Sequence, residues 1–278
     1  MSYKHEDLKP YRNEGEKAEQ IEEMFDNIAP EYDKFNYFAS MNIDRIWRKR
    51  AISALIPFAP RKVLDIATGT GDLALLIDKI WRKRAISSLK PFAPRQVLDI
   101  ATGTGDLALL IEKLLKPKNI IGCDISEGMM QVAREKCKKR GVTNITFEKE
   151  DCTALTYPDE SFDAVTSSFG IRNFQELDKA LREMCRVLRK GGHLAILELS
   201  TPVKFPMKQL FPMYARYVMP LLGRIFSKDA KAYKYLPNSI AAFPQGEVLQ
   251  NAIKEAGFSK VEFHRYTGGV CTFYLATK

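Results

Sequence analysis

The sequence predicts an α/β fold: a Rossmann-like, mostly parallel sheet with helices on both faces. Three observations predict it. From residue 96 onward, apolar β-branched runs alternate with amphipathic helical segments, the pattern of strand–helix–strand units. One such run, VLDIA, leads directly into the glycine turn TGTGD and the apolar helix start LALLI. The last two runs, KVEFHRYT and VCTFYLATK, are parted by a short turn at Gly268 and Gly269, so that pair is antiparallel.

The elements follow in chain order. Residues 15–38 form a helix around Ile21, Met24, Phe25 and Ile28, with a break at Pro30 because the residue before proline disfavours helix. Residues 44–56 form an amphipathic helix with a basic face, ended by Pro57. QVLDIA is a strand and DLALLIEKLL its helix. NIIGCDIS is the second strand, and Gly141 closes the following helix EGMMQVAREKCKKR as its C-cap. NITFEKED and FDAVTSSF are the third and fourth strands, QELDKALREMCRVLRK is a helix, and GHLAILELS is the fifth strand. Residues 204–228 are helical and rich in apolar side chains, and GEVLQNAIKEAG is a helix ahead of the closing pair. Seven strands with an antiparallel hairpin at the C-terminal edge are the usual arrangement of S-adenosylmethionine-dependent methyltransferases.

Residues 44–77 and 78–111 are the same 34-residue segment in tandem, differing only at Arg45/Lys79, Ala54/Ser88, Ile56/Lys90 and Lys62/Gln96. A helical solenoid needs at least three diverged copies, so this is a segmental duplication. Each copy carries the strand, the glycine turn and the helix start, yet one domain uses one such cradle. Gly105 precedes Asp124 by 19 residues, near the roughly 20 expected between a glycine turn and a second-strand acid. Gly71 precedes it by 53. The second copy is therefore expected to supply the working cradle and the other to be extruded. The organisation expected is a helical lid and first repeat start over 1–61, the duplicated segments 44–77 and 78–111, and a catalytic domain over 96–278 with a substrate cover at 204–228.

A chain of 278 residues, or 244 without one copy, with 45% hydrophobic residues has ample material for a core. Net charge is +9, and the six basic and three acidic residues of each copy make the repeat itself a source of +3. That charge permits a nucleic acid or an anionic membrane surface as partner. The five cysteines show no CxxC spacing, and with three scattered histidines no metal site is expected. The N-terminus has no apolar run resembling a signal peptide, and no 18-residue apolar stretch occurs, so a cytoplasmic location is expected.

In open α/β sheets, ligands sit at the carboxyl ends of the strands where strand order reverses. Gly103 and Gly105 let the backbone approach a ligand, and the helix beginning near Asp106 offers free N–H groups. The turn lacks the third glycine of a GxGxxG pyrophosphate site. Asp124, ending the second strand, can accept both hydroxyls of a ribose. Asp99 suits a cationic sulfonium better than a diphosphate, or else orients the glycine turn. Asp151 and Cys152 can meet an adenine edge, although Cys152 also reads as a small core residue. The cofactor expected is S-adenosylmethionine rather than NAD.

Two long signatures carry a resemblance. One is Tyr32–Asp33–Lys34–Phe35–Asn36 followed by Ser40, Asp44 and Trp47; the other is RVLRKGGHLAILELS at 186–200, with FGIRN at 169–173 between them. The chain resembles the ubiquinone/menaquinone biosynthesis C-methyltransferases, departing from their pattern at Phe35, Ala39, Asp44, Arg189 and Lys190. The resemblance implies methyl transfer from S-adenosylmethionine to a ring carbon of a polyprenylated quinol, demethylmenaquinol first and a ubiquinone precursor second. It implies cofactor contacts at Thr104 (or Thr70), Asp124, Asp151, Cys152 and Ser168, a quinol site at Arg172 and Asn173, and a lid residue at Tyr32. Arg172 then stabilises the ring oxyanion; a guanidinium is a poor base, and no proton acceptor is evident. The apolar and basic residues of 204–228 suit an entrance for a greasy tail and a peripheral contact at the inner membrane face. A nucleic-acid methyltransferase is the alternative enzyme, but no basic stripe with interleaved aromatics occurs, so nucleic acid is not the expected partner. A chain disabled by its duplication is the non-catalytic alternative. A homo-oligomer is open, through strand pairing of the surplus copy.

Overall fold

The computed structural model of the chain describes residues 3–11, 15–38, 72–205, 207–213 and 230–278, with side chains described except at 30–38, 72–79, 210, 212, 230–234 and 267. Strands β1 (Gln96–Ile100), β2 (Asn119–Asp124), β3 (Ile145–Lys149), β4 (Phe162–Ser168), β5 (Leu188–Leu199), β6 (Lys260–Tyr266) and β7 (Cys271–Thr277) form one sheet in the order β3-β2-β1-β4-β5-β7-β6. β1 through β5 pair in parallel, and β7 runs antiparallel between β5 and β6. Strand order reverses at β1, which puts the switch point at the carboxyl end of β1, beside β2 and β4. The seven-stranded α/β architecture read from the sequence is the one observed.

Eight helices accompany the sheet: α1 (Lys17–Phe38), α2 (Asp72–Ser87), α3 (Asp106–Leu115), α4 (Glu127–Arg140), α5 (Leu177–Val187), α6 (Met207–Met213), α7 (Ala230–Ala242) and α8 (Glu247–Glu255) among the described residues. α4 begins where the Ser126 hydroxyl accepts the Met129 N–H, and ends where Gly141, at φ 65°, donates to the carbonyls of Cys137 and Lys138. Three elements differ from the sequence reading. α1 runs through Pro30 without the expected break. A proline forfeits its own helical N–H bond, and here the packing of Ile21, Met24, Ile28 and Ala29 beside Met129 of α4 outweighs that loss. α5 stops at Val187 instead of Lys190, because Leu188 pairs with Phe162 of β4. α7 went unrecognised, with Pro237 inside it hiding the helical period.

At the repeat junction, the first copy's DLALLI runs unbroken into the second copy's DKIWRKRAIS, making the single helix α2. The second copy then supplies β1 and the start of α3. The first copy's expected helix at 44–56, its strand and its glycine turn lie outside the described residues. The WRKR run of the second copy is engaged with the fold. Trp81 is buried, Arg82 lies over the Phe169 ring at 5.1 Å, and Arg84 lies over Tyr266 at 6.0 Å.

Two apolar layers sandwich the sheet. One packs Trp81, Ile86 and Leu89 of the α2 region with Leu107 and Ile111 of α3 and Phe273 of β7. The other packs Leu177, Leu181 and Met184 of α5 with Leu249 and Ile253 of α8 and Tyr274 of β7. Each such aliphatic side chain removed from water contributes about 1.5–3 kcal/mol. This burial holds the strand ends, and hence the site, in fixed register.

Candidate active site

The chain leaves β1 through a turn of alternating handedness: Ala101, Gly103 and Gly105 have φ of 53°, 55° and 76°. Only glycine adopts such angles at little cost, so Ala101 is held there by its surroundings. A Cβ on Gly105 would also lie 2.9 Å from that of Ala133, so the position demands glycine twice over. A Cβ on Gly103 would meet nothing within 4 Å, which leaves the top of the turn open. Gly105 caps α3, whose first turn presents unbonded N–H groups at the same end.

Three carboxylates fix this turn. Asp99 is 1% exposed and accepts one hydroxyl on each oxygen, from Thr102 at 2.8 Å and from Thr166 of β4 at 2.8 Å. Burial pushes its carboxyl up to about 6, against those two hydrogen bonds and the charge of Arg82. It therefore lies beneath the turn and orients it through hydroxyls. Asp124 accepts the Gly103 N–H at 2.8 Å and the Ser126 N–H at 3.0 Å. Asp106 and the Thr104 hydroxyl share Lys136, at 2.8 and 2.9 Å. Across the sheet, Asp151 is exposed and accepts the N–H and hydroxyl of Thr153 at 2.8 and 2.9 Å. Cys152 is half-buried, with its thiol pushed well above the ordinary range by burial. Helix α1 closes over this rim: Asp26 accepts the Ser126 hydroxyl at 2.6 Å and the Gly128 N–H at 3.0 Å. Tyr32 belongs to α1, but its side chain lies outside the described residues.

Beyond β4 the backbone turns at Phe169 (φ 62°) and Gly170 into a single 3-10 turn, Ile171–Asn173. A Cβ on Gly170 would lie 2.4 Å from that of Ala101, so the β4 turn is pressed against the β1 turn. Arg172 is consequently buried, its side chain 9% exposed, and it donates to Glu198 of β5 at 3.0 Å and to the Phe169 carbonyl. Glu198 also accepts the backbone N–H groups of Arg172 at 3.3 Å and Leu199 at 2.8 Å. Burial pushes the Glu198 carboxyl up, and Arg172 pulls it back. Lys17 donates to the carbonyls of His5 at 2.5 Å and Phe174 at 3.3 Å, tying the N-terminal segment to this turn. Its burial pushes the ammonium down to about 8.

The hydrogen-bond inventory leaves a polar group of orphans here. Ser168 Oγ, Arg172 Nε and Asn173 Oδ1 are buried without a partner among the described residues. Such groups are rare in folded proteins, and they leave donor and acceptor capacity open at this end of the sheet. Thus Asp99, Gly103, Thr104, Gly105, Asp124, Ser168, Arg172 and Asn173 gather at the ends of β1, β2 and β4, and Asp151 and Cys152 follow β3. Sequence reasoning missed Glu198 and Lys17. The signal for Glu198 was present, a lone acid at the carboxyl end of an apolar strand. Nothing local marks Lys17, whose partners lie 12 and 157 residues away. No group of three or more metal-ligating side chains occurs among the described residues.

The family model of the ubiE/COQ5 methyltransferase family matches residues 13–80 and 73–278, two stretches that overlap across the junction of the repeats. A demethylmenaquinone methyltransferase of Bacteroides fragilis is 52% identical, with 100% of both chains covered. The Porphyromonas gingivalis protein of that name is 42% identical over 98% of each. A ubiquinone/menaquinone biosynthesis C-methyltransferase of Geobacter sulfurreducens is 36% identical, over 95% of this chain and 90% of that one. Among solved structures, a SAM-dependent methyltransferase from Aquifex aeolicus has a TM-score of 0.52 at 20% identity, covering 72% of this chain and 92% of that one. The [4+2]-cyclase SpnF has a TM-score of 0.62 at 15% identity, covering 94% and 96%. At these identities the structural likeness speaks for the fold. The two matched stretches and the full-length relatives establish that the chain belongs to the ubiE/COQ5 methyltransferase family.

Proposed function

We propose that the protein transfers a methyl group from S-adenosylmethionine to a ring carbon of demethylmenaquinol. The observation that carries this reading is the 52% identity to a demethylmenaquinone methyltransferase, sustained over the whole of both chains. The nucleic-acid alternative has only the net charge of +9 in its favour, and part of that charge comes from the repeat.

The residues present fit the cofactor. The open face of Gly103, the free N–H groups of α3 and the unpartnered Ser168 hydroxyl form a polar cradle at the switch point. Asp124 accepts backbone N–H groups on both oxygens, and a carboxylate has about four acceptor sites, so it retains acceptor capacity for a ribose hydroxyl. Gly103, Thr104, Gly105, Asp124, Asp151, Cys152 and Ser168 would hold the cofactor, with Asp99 supporting the turn from below. When bound, S-adenosylmethionine supplies a methyl group already activated by its sulfonium charge.

The protein's own contribution is to make the quinol ring a carbon nucleophile. A ring hydroxyl that loses its proton raises electron density on the neighbouring carbon. Arg172 favours that oxyanion, and Glu198 fixes the guanidinium so that no reorganisation is needed as charge develops. Asn173 Oδ1 is available to accept from a ring hydroxyl that keeps its proton. The greasy tail leaves past the substrate cover expected at 204–228, of which residues 206 and 214–228 lie outside the described residues; at its start Val203, Phe205 and Met213 are exposed near Lys204 and Lys208. That combination suits peripheral contact with an anionic membrane face.

The test is methyl incorporation into demethylmenaquinol by the protein and its Arg172→Ala variant. The parent should turn over, while the variant should lose about 10²–10³ in kcat. Cofactor affinity measured by titration calorimetry should not change. A variant with the parent's rate would remove Arg172 from the reaction.

A further inference from the structure

Tyr235 lies on α7. It is 6% exposed, and its hydroxyl has no hydrogen-bond partner among the described residues. A buried phenol normally finds one, because an unmet hydroxyl forfeits its hydration without return. The ring belongs to the apolar cluster that Ile21, Met24, Ile28 and Ala29 of α1 form with Met129. α7 packs against the 3-10 turn that bears Arg172 and Asn173. The phenol lies within electrostatic range of both Arg172 and Glu198. Two other orphans, Arg172 Nε and Asn173 Oδ1, belong to that same turn.

We infer that Tyr235 is a catalytic residue, its hydroxyl donating a hydrogen bond to the quinol ring oxygen that Arg172 also serves. This rests on the proposed function. A ring oxygen that becomes an oxyanion gains from every preorganised donor aimed at it, and one donor of this kind is worth about 10²–10³ in rate. Arg172 Nε–H and the Tyr235 hydroxyl supply two donors from separate elements. Burial raises the phenol well above its ordinary range, so it remains protonated and able to donate. The apolar wall from α1 excludes water, which strengthens both bonds. The lid thus contributes to the acceptor site through the residue it covers.

Tyr235→Phe keeps the ring and removes only the oxygen. With a short-chain, water-soluble demethylmenaquinol, kcat/KM should fall about a hundredfold. Cofactor affinity should stay within about twofold and the melting temperature should hold or rise, since the variant deletes an unmet buried hydroxyl. A variant within about threefold of the parent in kcat/KM refutes the inference. So does a melting temperature lower by more than about 5 °C, which would assign the hydroxyl to the fold. A loss of cofactor affinity would move Tyr235 to the other ligand and likewise refute it. If the parent itself fails on the quinol, the proposed function falls and takes this inference with it. A working parent beside a working variant removes Tyr235 alone.

Discussion

Asp99 carries a pH signature of its own. Its carboxyl is pushed up to about 6 in the fold by burial, against about 3.9 in an unfolded chain. Between those values the folded protein holds a proton that the unfolded chain has released. This group's stabilising contribution is therefore full below about pH 4 and is lost as pH rises through about 6. An amide cannot ionise, and either threonine hydroxyl can rotate to accept from it. Asp99→Asn should thus gain on the parent as pH rises from 4 to 7, by about 2 kcal/mol. Melting curves of both proteins across that range check it, and parallel pH dependences would show that Asp99 does not titrate as stated. The same residue shows where local reading stops. A carboxylate at the end of β1 was legible. Its capture by Thr166, 67 residues away, depends on the pairing of Asp99 with Thr166 across β1 and β4.

Among elements, α6 and the residues leading into it stand out because their apolar side chains are uncovered. Phe205 is 75% exposed and Met213 59%, with Val203 at 53%. Exposed phenylalanine beside lysines is a pattern for a membrane interface. Transfer of one such ring from water is worth about 1.5–3 kcal/mol, so Phe205→Ser should weaken binding to anionic phospholipid vesicles roughly tenfold or more. The variant's rate on a water-soluble quinol should not change. Co-sedimentation measures the first effect, and equal binding by both proteins would place the membrane contact elsewhere. Among the described residues no helix is long and apolar enough to cross a membrane. α7 makes the converse point: Pro237 hides its helical period in the sequence, yet it packs against the turn that bears Arg172.

For the whole molecule, the question is how one sheet accommodates a duplicated strand–turn–helix. The second copy provides β1, the glycine turn and α3, and its Trp81, Ala85 and Ile86 are buried against the sheet. We propose that the first copy is extruded ahead of α2 over residues 44–71, its DLALLI serving as the first part of that helix. Closing a loop of that length costs about 3 kcal/mol, which a domain of about 5–15 kcal/mol survives. The surplus VLDIA strand can also pair with another molecule's edge and promote association. Deleting 44–77 or 78–111 leaves chains that differ at only four positions. Both deletions should fold alike, melt several degrees above the parent and stay more soluble. Thermal unfolding of all three proteins decides it. Either deletion melting well below the parent would mean that both copies belong to the fold.

The sequence by itself determined the α/β class, the seven strands, the glycine turn and the family resemblance. These rest on short-range patterns: alternation, a glycine turn, and signatures of contiguous residues. Spacing along the chain also pointed to the second copy as the source of β1. Only the tertiary structure decided which polar groups meet and which are left unmet. Arg172 is held by Glu198, 26 residues later, and Lys17 is tied to Phe174, 157 residues later. Tyr235 comes to that site on a helix the sequence concealed. Such contacts join residues that share no local pattern. They are set by the register of the sheet and by how the helices pack on it.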